Sequence, residues 1–270
     1  MYNYSDLKSK VILITGAAGL LGNEFCKSLL FNNAIVIAID INKDNLQKLF
    51  KEIKKSGKEN NFFFYCSNLK NEKIMKELVK KIIKKFKKID VLINNAHSFS
   101  NNRKNFFEKF ENYKLDTWRQ IMEINVNSTF LITQIVSRHM MKKKGGSIIQ
   151  MGSIQGILGN DGRIYKGSKL NGMKINSPAV YSTSKSAIIG FTRYLATYLA
   201  KYNIRVNSIS PGGIINNHNK TFVKKYSSKV PLNRMGKKNE VASAVLFLSS
   251  RESSYITGQN IVVDGGYSIW

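Results

Sequence analysis

The chain has 270 residues, enough for one large α/β domain or two small ones, and 43% of them are hydrophobic, which excludes a disordered chain or one that needs disulfides to hold a core. Its two cysteines, Cys26 and Cys66, form no CxxC pair, so neither a disulfide framework nor a metal site is expected. The 43 Lys and Arg against 17 Asp and Glu give a formal charge of +26, but only 8 of the 43 are arginine, the residue that phosphate and base readout favours, so a solvated lysine surface is preferred to specific nucleic-acid binding.

The first residues lack the apolar stretch of a secretion signal, and no apolar run reaches the ~18 residues of a membrane span, so a cytoplasmic protein is expected. Residues 11–14 are a β-branched run that stops at Thr15-Gly16, and residues 23–31 carry Phe25, Leu29 and Leu30 on one helical side. Strands are predicted over 34–39 and 62–66, with a helix over 45–55 between them. Ile74, Leu78, Ile82 and Phe86 recur every fourth residue among lysines, which predicts an amphipathic helix with a lysine-coated outer face. A strand over 89–93, a long helix over 117–141 and a strand over 146–151 come next. They are followed by a long helix over 181–202, a strand over 204–209, a helix over 240–249 and a strand over 260–263. Strands separated by helices pair in parallel through right-handed crossovers. The expected architecture is therefore α/β: a single-domain Rossmann fold over residues 1–270, with a doubly wound parallel sheet of about seven strands and helices on both faces. Residues 96–116, 155–179 and 213–235 break the rhythm and are the expected substrate loops.

Thr15-Gly16-Ala17-Ala18-Gly19-Leu20-Leu21-Gly22 lies between the first strand and the first helix. Glycines there allow a tight turn and a close backbone approach to a pyrophosphate, while the helix N-terminus offers N–H groups to the anion. Asp40 ends the second strand, 18 positions after Gly22, where a carboxylate accepts from adenosine ribose hydroxyls and repels a 2′-phosphate. NAD is thus the expected cofactor, with NADP the alternative. Tyr181 and Lys185 sit at i and i+4 near the start of a long helix, and an ammonium beside a phenol is expected to lower its pKa and suit it to proton exchange.

Taken together, these motifs resemble the short-chain dehydrogenase/reductase family. The resemblance runs from Val11 to about Gly266 and adds Asn94-Asn95-Ala96, Asn125, Ser153, the segment from Arg205 to Gly213, Thr257-Gly258 and Asp264-Gly265-Gly266. It implies Tyr181 as acid/base, Lys185 as its partner and holder of the nicotinamide ribose, Ser153 as hydrogen-bond donor to the reacting oxygen, and Asn125 as the residue that positions a relay water. For the cofactor it implies Gly16, Gly19, Leu20, Leu21, Gly22, Asp40, Asn68, Leu69, Asn95, Ala96, Tyr181, Lys185, and Pro211, Gly212 and the backbone of Ile214, the last three bordering the nicotinamide. A homotetramer or homodimer is implied too, with helices 117–141 and 181–202 at the interface.

The chain departs from the family pattern at several points. Leu20 stands where the middle glycine is usual, His97 replaces a glycine after Asn95-Ala96, Asn68 replaces an adenine-contacting aspartate, and Asn216 replaces a threonine. The segment between Ser153 and Tyr181 is long and contains Arg163, Tyr165, Lys166, Lys169 and Lys174; with Arg103 and Lys104 these are candidates for holding an anionic sugar. In these features the chain resembles flagellin-modification oxidoreductases of bacterial surface-sugar pathways. The expected function is NAD(P)-dependent hydride transfer at a secondary alcohol or ketone of a sugar derivative made for surface glycans. The alternatives are a reductase of lipid or small carbonyl metabolites and a noncatalytic cofactor-binding regulator.

Overall fold

The computed structural model describes residues 4–98 and 103–270. The first half runs β1 (Val11–Thr15), α1 (Leu20–Phe31), β2 (Ile35–Asp40), α2 (Lys43–Lys55), β3 (Phe62–Cys66), α3 (Glu72–Phe86), β4 (Val91–Asn94), α4 (Arg103–Phe106), α5 (Leu115–Met122) and α6 (Ser128–Lys143). The second runs β5 (Gly146–Met151), β6 (Lys169–Leu170), β7 (Met173–Lys174), α7 (Ala179–Leu199), β8 (Ile204–Pro211), α8 (Lys220–Ser227), α9 (Lys238–Ser249) and β9 (Asn260–Val263). The strands other than β6 and β7 form one parallel sheet in the order β3-β2-β1-β4-β5-β8-β9. This is the single-domain Rossmann architecture expected from the alternation of elements. The order reverses between β1 and β4, so the crevice beyond their carboxyl ends is the switch point at which such sheets take ligands.

Side-chain alternation sorts the two layers. Ile12 and Ile14 pack with Phe25, Leu29, Leu46 and Val245 of α1, α2 and α9, whereas Val11 and Leu13 pack with Val79, Val136 and Leu199 of α3, α6 and α7. Both faces of the sheet are covered, which is why its strands read as continuous apolar runs.

Three local features differ from expectation. The buried stripe of α3 is Met75, Val79 and Ile82, while Ile74 is exposed. A strict four-residue repeat overshoots the 3.6-residue turn and drifts off the buried face, so spacings of four and then three follow the core better. The helix expected over 117–141 is interrupted: α5 passes through a π turn at Glu123–Asn127 before α6 resumes the α pattern. Ser128 Oγ donates to the carbonyl of Ile124, and Thr129 Oγ1 to that of Asn125 at 3.0 Å, so polar side chains serve backbone oxygens around the widened turn. Finally, the stretch 213–235 contains α8, whose cap Asn219 accepts from Phe222 N at 3.1 Å. The stretch 155–179 contains the antiparallel β6–β7 hairpin. Of 96–116, residues 99–102 lie outside the described residues. Among the described residues, no helix is long and apolar enough to cross a membrane.

Candidate active site

The glycine turn is built by close packing. Gly16 has φ +62°, and a Cβ there would lie 2.7 Å from Ala96 Cα; a Cβ on Gly22 would collide with the carbonyl of Gly16. Gly19 caps α1 at its amino end, so the first turn of a 12-residue helix faces the space left by the missing side chains, and its N–H groups suit an anion. Leu20 is exposed and Leu21 partly buried against the core. The end of β4 closes the other side. Asn95 Nδ2 donates to the Gly16 carbonyl at 2.8 Å, and the backbone N–H groups of Asn95 and Ala96 both donate to Thr15 Oγ1 at 3.2 Å.

Asp40 ends β2 beside this turn. Its Oδ2 accepts from Ala18 N and its Oδ1 from Asn42 N, both at 2.9 Å. Each carboxylate oxygen carries two lone pairs, so these bonds orient the group and leave acceptor capacity for a diol. Asn68 follows β3; its Oδ1 accepts from Lys70 N at 3.1 Å, and the partly buried Leu69 packs on the second core layer. Gly-lined backbone, a helix amino end and an oriented carboxylate in one crevice fit the pyrophosphate and ribose of a dinucleotide.

Ser153, Tyr181, Lys185 and Asn125 converge at the same crevice. Ser153 Oγ accepts from Gln155 N at 3.2 Å and stands close to the Tyr181 phenol. Lys185 is 5% exposed, and its Nζ lies 5.7 Å from the Tyr181 ring centroid. Burial pushes the Lys185 ammonium down to about 8. Burial also raises the Tyr181 phenol above its ordinary value, opposed by the neighbouring Ser153 side chain. The net shift is opposite to the one expected from the Lys185 spacing, because removing the phenol from water outweighs the help its neighbours give the phenolate.

Asn125 occupies the π turn and ties two elements together. Its Oδ1 accepts from Ser98 N at 3.0 Å, while its Nδ2 donates to Ser184 Oγ at 3.1 Å. Ser184 Oγ donates in turn to the Tyr181 carbonyl at 2.9 Å. Pro211 ends β8, and Gly212 N donates to Val263 O at 3.0 Å, which carries the chain into Ile214 beside the crevice. Ile214 bridges to Gly236, and Asn216 N donates to His218 Nδ1 at 3.3 Å. His97 is exposed just beyond β4; desolvation, and then the charge of Lys185, hold its imidazole below the usual range.

The residues expected to hold an anion are engaged to different degrees. Arg163 is engaged by Asp161, with Nε–Oδ1 at 2.8 Å and Nη2–Oδ2 at 3.0 Å. Tyr165 stacks on Phe222 instead of lying free in a loop. Lys166, Lys169 and Lys174 are exposed, the last two facing each other across the β6–β7 register, and Arg103 and Lys104 are exposed on α4. Asp161 forms a second ion pair with Lys229, so an acid within the loop and a base from outside it shape this surface. The sequence reading missed Tyr226 of α8, which contacts the segment after β8. Phe222 and Tyr226 stand at i and i+4 in Lys-Thr-Phe-Val-Lys-Lys-Tyr, and that apolar pair was the available signal.

Comparison with known proteins identifies the family. A family profile described as enoyl-(acyl carrier protein) reductase matches residues 16–268. The chain is 38% identical to a 3-oxoacyl-acyl-carrier-protein reductase of Thermotoga maritima, over 97% of this chain and 99% of that one. It is 31% identical to a 7alpha-hydroxysteroid dehydrogenase of Bacteroides fragilis, over 97% and 95%. A solved short-chain dehydrogenase of Leptospira borgpetersenii, crystallised with NAD+, superposes with a TM-score of 0.86 at 36% identity and covers 100% of this chain and 97% of its own. By its fold and its sequence, this chain belongs to the short-chain dehydrogenase/reductase family of oxidoreductases.

Proposed function

We propose that this oxidoreductase uses NAD to reduce a ketone to a secondary alcohol, with Tyr181, Ser153, Lys185 and Asn125 as its reaction centre. The observation that carries this reading is the buried ammonium of Lys185 at the switch-point crevice, whose Nζ lies 5.7 Å from the Tyr181 ring centroid. NADH, when bound, supplies the hydride to the carbonyl carbon. Tyr181 gives its phenol proton to the oxygen that gains charge, and Ser153 donates a second hydrogen bond to it. Lys185 holds the nicotinamide ribose, and Asn125 places a water that returns the proton. Asp40 binds the adenosine ribose hydroxyls and disfavours a 2′-phosphate, so NAD is preferred to NADP.

The substrate class best supported by the relatives is a 3-oxoacyl thioester. A second reading, a polyol or sugar derivative, is favoured by the polar wall of the long segment, where Ser177 Oγ donates to Gln155 Oε1 at 3.2 Å beside Ser153. Assembly as a homodimer or homotetramer is supported by Phe130, Tyr194 and Tyr198, exposed on α6 and α7. The deciding experiment follows NADH oxidation with acetoacetyl-CoA and, in the reverse direction, NAD+ reduction with xylitol. Turnover of the thioester alone supports the first reading and turnover of the polyol alone the second; turnover of neither, in a protein that binds NADH, favours a noncatalytic cofactor-binding role.

A further inference from the structure

We propose that Tyr226 is a positioning residue that fixes the backbone from Gly212 to Ile214 against the nicotinamide end of the cofactor site. The proposal rests on the cofactor reading above and adds a residue outside its catalytic and binding sets. Tyr226 lies on α8 and is 4% exposed. Its phenol oxygen accepts from Gly213 N. A Cβ at Gly212 would lie 2.9 Å from that oxygen, and one at Gly213 would lie 2.6 Å from the ring Cζ. The two consecutive glycines therefore have a physical reason: the tyrosine ring is packed directly against their backbone. On other sides the segment is held by the sheet, through Gly212 N to Val263 O at 3.0 Å, and by Gly236 N, which donates to Gly213 O at 2.9 Å.

The ring is itself held in place. It stacks on Tyr267, with centroids 4.8 Å apart and planes 15° apart, and packs against Phe222 at 5.7 Å. Phe222 stacks in turn on Tyr165 at 5.9 Å. Backbone and side-chain bonds run beside the rings: Asn219 N donates to Lys169 O at 3.1 Å, Asn219 Nδ2 to Gly167 O at 3.0 Å, and Lys225 Nζ to Lys166 O at 2.7 Å. The long segment 155–179 and the segment after β8 are thus one bonded body, and Tyr226 is where that body meets the backbone of the cofactor site. Burial raises the phenol's pKa, and the hydrogen bond accepted from Gly213 N opposes that rise.

Tyr226→Phe keeps the stacked ring and removes the acceptor, leaving Gly213 N–H unpaired. Calorimetric titration of the full chain with NADH and with ADP-ribose, which lacks the nicotinamide, separates positioning from general damage. The expected result is NADH affinity weakened about tenfold or more while ADP-ribose affinity stays within about twofold of wild type. Phe222→Leu keeps the phenol but loosens its support, and is expected to weaken NADH selectively to a smaller extent. A Tyr226→Phe protein that binds both ligands like wild type, or loses both to the same degree, overturns the proposal while the cofactor reading stands. A wild-type protein that binds neither ligand overturns both.

Discussion

Lys185 donates its ammonium to the carbonyl oxygen of Met151 at 2.8 Å, so the last residue of β5 and an early turn of α7 share one buried charge. This bond fixes the lysine beneath the crevice, and burial makes the charge costly to keep.

That cost has a definite pH dependence. The ammonium titrates at 10.5 when unperturbed and at about 8 in the fold. Between these values the unfolded chain binds more protons than the native one, so this group makes stability rise with pH across that window. Below about pH 8 the native state bears the full penalty, on the order of 3 kcal/mol. Lys185→Met removes the penalty, so its stability relative to wild type is expected to be most favourable near neutrality and to decline towards pH 10.5. Guanidinium denaturation of both proteins at about pH 7, 9 and 10.5 checks this; a difference that does not change with pH would contradict it.

Tyr181→Phe is expected to lower kcat by about 10²–10⁴-fold, with NADH affinity changed by less than about twofold. The phenylalanine keeps the ring that packs edge-on against Phe106, so the fold should persist. Steady-state rates and a parallel NADH titration test the pair of outcomes, and retention of full turnover would remove Tyr181 from the reaction centre.

Asp40→Ala should weaken NADH by about tenfold or more while NADPH binding changes little or improves. Part of the loss comes from Ala18 N and Asn42 N, which donate to the two carboxylate oxygens. Competitive titration with the two cofactors gives the ratio that matters. An unchanged NADH to NADPH ratio would mean that Asp40 orders the turn without reading the ribose.

Gly16→Ala combines a positive φ with a backbone contact that cannot yield, since the new Cβ would sit 2.7 Å from Ala96 Cα. It is expected to destabilise the protein by more than about 2 kcal/mol and to abolish NADH binding. Gly57→Ala is the internal control. Its φ is +68° but nothing lies within 4 Å of the added methyl, so only conformational strain of about 1 kcal/mol remains. Thermal denaturation of the two variants separates crowding from strain.

Much of this protein was legible in its sequence. The strand ends at Thr15, Asp40 and Asn94 are local facts, set by runs of β-branched residues that stop at polar or glycine positions, and alternation with helices is enough to order a parallel sheet. The glycine turn was legible because only glycine relieves the backbone contacts at Gly16 and Gly22, and the pair Tyr181 and Lys185 because helical spacing puts them on one face. Other features depended on partners distant in the chain. Asn125 turns towards Ser98 and Ser184 through a π turn that no propensity marks. The phenol of Tyr181 is raised because burial, set by packing from several elements, outweighs any help from a neighbouring cation. Arg163, a candidate anion ligand in the sequence, is bound to Asp161, and Tyr226, inconspicuous in a stretch read as loop, packs beneath Gly212 and Gly213. Sequence by itself determined the order of elements and the positions of the chemical groups, because these follow from local periodicity and sterics. Tertiary structure decided which polar groups remain available and which side chains press on the cofactor crevice, because hydrogen-bond competition and desolvation exist only once distant segments meet.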